Sequence, residues 1–89
     1  MTTGHNDQVR RLKWACRRGM LELDVLLEPF VEHEHAALSA IEQEDFVRLL
    51  ACDDPELFAW FMGHEICQDP RLAALIGRIL ASNLERHAS

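Results

Sequence analysis

Between Arg17 and Asp24 the chain carries two arginines, a glycine and two carboxylates, with Trp14 three positions ahead of them. Arg18 offers a planar fork of donors that suits carboxylates or carbonyls. Gly19 has no side chain, so a neighbouring backbone can come close, and it tolerates positive φ. Glu22 adds two acceptor oxygens. Trp14 reads more often as a partly buried boundary residue than as a binding anchor, yet tryptophan beside arginine is a frequent composition at protein interfaces. The chemistry on offer is recognition of another surface rather than the making of bonds. A plainer arrangement uses the same residues: a helix closed by Gly19, with a local Arg18–Glu22 pair worth about 0–1 kcal/mol when exposed. The residue types alone leave these two arrangements even.

Other groups could in principle do chemistry, and each meets an obstacle. His33 and His35 alternate with Glu32 and Glu34. Residues two apart on a helix point away from each other, so the two histidines cannot share an ion there. His64 and Cys67 are better spaced, but a zinc site needs three or four ligands. No metal site is expected. Asp53-Asp54 precedes Pro55, which favours a helix cap over a cation site. A Cys/His nucleophilic pair is a weak signal, because Cys16 and Cys52 lie on or beside apolar stripes. No phosphate-binding glycine loop, G-x-S-x-G or H-E-x-x-H is present.

Composition narrows the classes further. A chain of 89 residues is read as one domain, 1–89, with residues 1–6 and 86–89 frayed. A domain of this size buries roughly 60–65% of its unfolded surface. That leaves little room for a private cofactor cavity. Net charge is −6, which argues against nucleic acid. Yet residues 1–18 hold five basic side chains and one acid, and residues 19–89 hold four basic side chains and fourteen acids. A basic face on an acidic body fits a partner surface with matching acidic groups, and charge alone fits somewhat better a solvated helix face that happens to be basic. No apolar run approaches the roughly 20 residues that span a bilayer, and no signal-peptide pattern opens the chain. Cys16, Cys52 and Cys67 are odd in number and far apart, so reduced thiols are expected. The expected location is the bacterial cytoplasm, without membrane insertion, and the expected state is a monomer.

The elements that must position these residues read as five helices and no strand. Asn6 or Asp7 caps a first helix that runs to about Arg18, with Val9, Leu12 and Cys16 on one face. Gly19 stops it. A second helix starts near Met20 and buries Leu23, Leu26, Leu27 and Phe30. Pro29 must kink or split it. Ser39-Ala40-Ile41-Glu42 matches a capping box, and the helix it opens turns Phe46, Leu49 and Leu50 inward. Asp54 caps a fourth helix with Pro55 first inside it; Leu57, Phe58, Phe61 and Met62 are its apolar residues, and Gly63 ends it. Asp69-Pro70 opens a fifth, whose stripe is Leu72, Leu75, Ile76, Ile79, Leu80 and Leu84; its tail frays from about Glu85. Short connections predict an all-α, compact, mostly antiparallel bundle.

The segment from Trp14 to Asp24 resembles the signature of the SdhE-type FAD assembly factors. These are bacterial relatives of the mitochondrial succinate dehydrogenase assembly factor two. The hallmark R-G-x-x-E falls on Arg18, Gly19 and Glu22. Cys52-Asp53-Asp54-Pro55-Glu56-Leu57-Phe58-Ala59-Trp60 is similar to a second block of that family. So is Pro29-Phe30 followed by Glu32-His33-Glu34. The resemblance is close over residues 9–62 and holds for the last helix by pattern only. It implies a five-helix bundle that is not itself an enzyme. Such a protein promotes covalent attachment of FAD to the flavoprotein subunit of succinate dehydrogenase, and also of fumarate reductase. It further implies that the flavin is bonded to a histidine of the partner. None of His5, His33, His35, His64 or His87 is then expected to carry it, and this chain holds no cofactor stably. The partner-binding residues it points to are Arg18, Gly19 and Glu22, with Arg17, Trp14 and Asp24 as rim or support. Two readings from other classes stand beside it: a regulatory adaptor working through the basic first helix, and a small thiol enzyme using Cys16.

Overall fold

Gly19 has φ +84° and Gly63 φ +79°, the left-handed geometry with which helices commonly end. Helix-opening signals follow each. The computed structural model describes residues 10–12, 14–16 and 19–88, and among them five α-helices and no strand. Residues 10–12 and 14–16 are helical and form α1. Then come α2 (Leu21–His33), a 3-10 turn (His35–Ala37), α3 (Ala40–Leu50), α4 (Asp54–Phe61) and α5 (Pro70–Ala88). The all-α expectation holds. The expected cap at Asn6 or Asp7, and Val9, lie outside the described residues.

Leu23, Leu26, Leu27 and Phe30 are all buried, as their spacing on α2 predicts. Pro29 does not split the helix, which continues to His33. The helix stays whole because a proline removes only one backbone donor, and the buried stripe on both sides of it is continuous. The capping box of α3 is present in full. Glu42 N donates to Ser39 Oγ at 3.1 Å, and Ser39 N donates to Glu42 Oε1 at 2.9 Å. At the start of α5 Asp69 Oδ1 accepts from the backbone of Arg71 and Leu72.

Two expectations need correction. The N-cap of α4 is Asp53 rather than Asp54, and Pro55 is the second helical residue. The Asp53 side chain makes no capping hydrogen bond. Pro55 has no N–H to give at the position where a cap oxygen often finds its donor. Leu84 is not part of the buried stripe of α5 but 69% exposed. The inward arc runs through Leu72, Leu75, Ile76 and Ile79 and continues at Ser82, which is buried and accepts from Arg86 Nη1 at 2.8 Å. Leu84 is five positions beyond Ile79 and so lies across the helix from that arc. Helical backbone continues to Ala88, past Glu85.

The core gathers around α5, which packs against α2, α3 and α4. Phe30 and Phe46 meet with ring centroids 5.8 Å apart, and buried His35 stands edge-on to Phe46 at the same separation. Each buried leucine or phenylalanine contributes on the order of 1.5–3 kcal/mol. Leu12 and Cys16 join this core from α1. Their burial holds α1 against the bundle and delivers the chain to Gly19 at the surface.

Candidate docking surface at the start of α2

Leu12 and Cys16 turn inward on α1, so Arg10, Arg11, Trp14 and Ala15 turn outward. Trp14 is 67% exposed. The chain then bends at Gly19, which is exposed, and a Cβ added there meets nothing within 4 Å. Met20 is the N-cap of α2 in extended conformation; its carbonyl accepts from the N–H groups of Leu23 and Asp24, both at 3.0 Å. The Met20 side chain packs on the core and anchors the corner. Glu22 and Asp24 fall in the first turn of α2, where the helix dipole favours negative charge. No side chain caps this end.

Gly19 and Glu22 thus share one exposed corner, less than a turn apart along the chain. Asp24 is half-buried rather than open to solvent. Arg17 and Arg18 lie outside the described residues. Among the described residues no hydrogen bond engages the Glu22 carboxylate, so its acceptors face outward. The corner can take up a neighbour's donors and admit its backbone at Gly19. Among its described residues no nucleophile and general base are aimed at a common point.

Sequence reasoning missed two features. Leu21 and Val25 stand outside the buried stripe and are exposed on the same face of α2 as Glu22. Their spacing of four, off the core stripe, was the available signal. The second is a charge network between α3 and α5. Buried Asp45 receives Arg71 Nη2 at 2.8 Å and Arg48 Nη2 at 3.0 Å, and Arg48 Nη1 reaches Asp69 at 2.9 Å. Glu42 pairs with Arg78 at 3.0 Å. Only the Asp45–Arg48 pair has a local spacing; the others join residues 21, 26 and 36 positions apart and give no local signal. The hydrogen bond from Arg71, followed by that from Arg48, holds the Asp45 carboxyl below the usual aspartate range despite its burial. Arg48 and the backbone of α5 do the same for Asp69.

The Asp45–Arg71 and Glu42–Arg78 pairs line a groove of about 460 Å³ between α3 and α5, together with Ile41, Ala74 and Leu75. Its carboxylates are matched by its own arginines, which makes it a structural joint. A wider, open hollow of about 860 Å³ surrounds the α4–α5 loop. There His64 stands edge-on to Phe58 at 5.9 Å, while the buried Cys67 thiol donates to the Asp69 carbonyl. His33 is exposed and His35 buried, so they face different surroundings. Among the described residues no three His, Cys, Asp or Glu side chains gather as metal ligands. Cys16 is fully buried, which removes the access that a reactive thiol needs. No helix among the described residues is long and apolar enough to cross a membrane.

The comparisons with known proteins agree with one another. A protein from Shewanella oneidensis called FAD assembly factor SdhE is 58% identical over 71 residues, 80% of this chain and 87% of that protein. The protein of the same name from Vibrio cholerae is 55% identical over 80 residues, 90% of this chain and 93% of that protein. That from Colwellia psychrerythraea is 63% identical over 70 residues, 79% and 77% of the two chains. The solution structure of a UPF0350 protein superimposes with a TM-score of 0.73 at 49% identity, covering 99% of this chain and 90% of that one. The family model for Sdh5, described as the flavinator of succinate dehydrogenase, matches residues 10–83. A match of that extent, joined to relatives more than half identical over most of their length, makes this chain a member of the Sdh5 family of succinate dehydrogenase flavinators.

Proposed function

We propose that this protein is an FAD assembly factor that promotes covalent attachment of FAD to the flavoprotein subunit of succinate dehydrogenase. The family match over residues 10–83 carries the reading. The exposed corner at Gly19 and Glu22 supports docking as the way it acts. The chain works as an assembly factor rather than as an enzyme. The covalent bond joins a histidine nitrogen of the partner to a methyl carbon of the partner's flavin, and fumarate reductase is a second client. The factor itself is a cytoplasmic monomer that holds no flavin stably.

The mechanism is positional. Attachment depends on keeping the partner's histidine, its flavin and its charge-stabilising groups in register. Each 1.4 kcal/mol or so removed from the barrier gives about tenfold in rate. Orientation alone can supply several such factors. A small rigid bundle that holds an unfinished flavoprotein in the productive arrangement accelerates the step without donating a group. Arg18 pairs with polar groups of the partner. Gly19 admits its backbone. Glu22 accepts its donors or steadies Arg18, and Arg17, Trp14 and Asp24 support the rim.

The test is the flavin fluorescence of denatured flavoprotein subunit after co-expression with variants. Gly19→Arg is expected to lower covalent flavin at least tenfold while far-UV circular dichroism stays helical, and Glu22→Ala to lower it several-fold. Normal covalent flavin with both variants sinks the docking assignment.

A further inference from the structure

Polar corners orient a complex, and apolar side chains that lose their water on association add to its stability. Such residues stand next to the corner. On α2, Leu21 is 72% exposed and Val25 52% exposed. They are four apart, so they sit one above the other on the outer face, and half-buried Pro29 continues the row one turn further. Isolated exposed apolar residues are ordinary. A row of them beginning two residues after Gly19 is a different matter. Exposed Glu22 and Glu32 stand at the two ends of the row.

Resting on the docking reading above, we propose that Leu21 and Val25 are the apolar anchor by which this chain grips the flavoprotein subunit. The corner at Gly19 and Glu22 is the polar edge of the same patch. The partner surface that fits is an apolar hollow with lysine or arginine at its rim, opposite exposed Glu22 and Glu32. Continuity with the Gly19 corner selects that occupant.

The experiment measures the Kd of full-length chain for the flavin-loaded flavoprotein subunit of succinate dehydrogenase, at low and high salt. Leu21→Gln and Val25→Gln remove the apolar surface, keep the net charge and keep good helix formers in place. Each is expected to raise Kd about tenfold, corresponding to about 1.4 kcal/mol, at both salt concentrations. Leu84→Gln, an equally exposed site on α5, is expected to leave Kd unchanged. Loss of binding by Gly19→Arg together with wild-type Kd for Leu21→Gln and Val25→Gln overturns the anchor and leaves the corner standing. Wild-type binding by Gly19→Arg overturns the corner, whatever the other two do. If the free chain self-associates, and the two glutamine variants abolish that without changing Kd for the flavoprotein, the row serves a second copy and the proposal falls.

Discussion

At Gly19 the backbone has φ +84° and an added Cβ meets nothing, so the cost of a side chain there is conformational and not steric. Gly19→Ala is expected to lower stability by about 1 kcal/mol, read as a shift in the urea midpoint. The same strain accompanies Gly19→Arg. Covalent flavin is therefore expected to remain near normal with alanine and to collapse with arginine. That contrast separates bulk at the interface from backbone strain. Equal loss with both variants would assign the effect to the turn itself. Glu22 is exposed and placed in the first turn of α2, so its removal costs little stability and its effect is read in flavin attachment.

Among the elements, α3 carries the joint of the bundle. Its start depends on the reciprocal bonds of Ser39 and Glu42. Ser39→Ala is expected to cost about 1 kcal/mol, measured by chemical denaturation. Its face toward α5 depends on Asp45. The folded-state pKa of Asp45 is lowered, first by the hydrogen bond from Arg71. Protonation is then disfavoured in the folded state. The stability this contributes is fully present above the unfolded aspartate pKa of about 4 and is lost as pH falls through the lower folded value. Asp69, lowered chiefly by Arg48, adds to the same trend. Denaturation midpoints are expected to fall on acidification below about pH 4. Asp45→Asn is expected to be less stable at neutral pH and to lose less on acidification. A variant whose midpoint falls as steeply as that of the parent protein would remove Asp45 from the account.

For the whole molecule, the margin is small. Folded domains are held by about 5–15 kcal/mol. Phe46, fully buried, touches the rings of Phe30 and His35 and ties α3 to α2 and the 3-10 turn. Phe46→Ala is expected to cost about 3–5 kcal/mol, a large share of that margin. Circular dichroism melts check this: Phe46→Ala loses flavin attachment together with its cooperative transition, whereas Gly19→Arg loses attachment with the transition intact. A Phe46→Ala protein that melts like the parent would mean that the core is organised around other residues.

Helix number and most helix starts were legible from local chemistry: Ser39 with Glu42, Asp69 before Pro70, and the glycines at 19 and 63 act within a turn of their own positions. The buried stripe of α2 was legible for the same reason, since Leu23, Leu26, Leu27 and Phe30 repeat at the helical period. The R-G-x-x-E pattern and its surroundings pointed to the family. What the amino-acid order could not disclose were relations between distant segments. It did not foretell that Arg71 and Arg78 reach back to Asp45 and Glu42, or that Ser82 rather than Leu84 faces the core. Local structure follows from bonds among near neighbours in the chain. Which apolar side chain is covered, and which charge finds a partner, depends on how much surface the other helices occupy once packed, and only the assembled fold decides that.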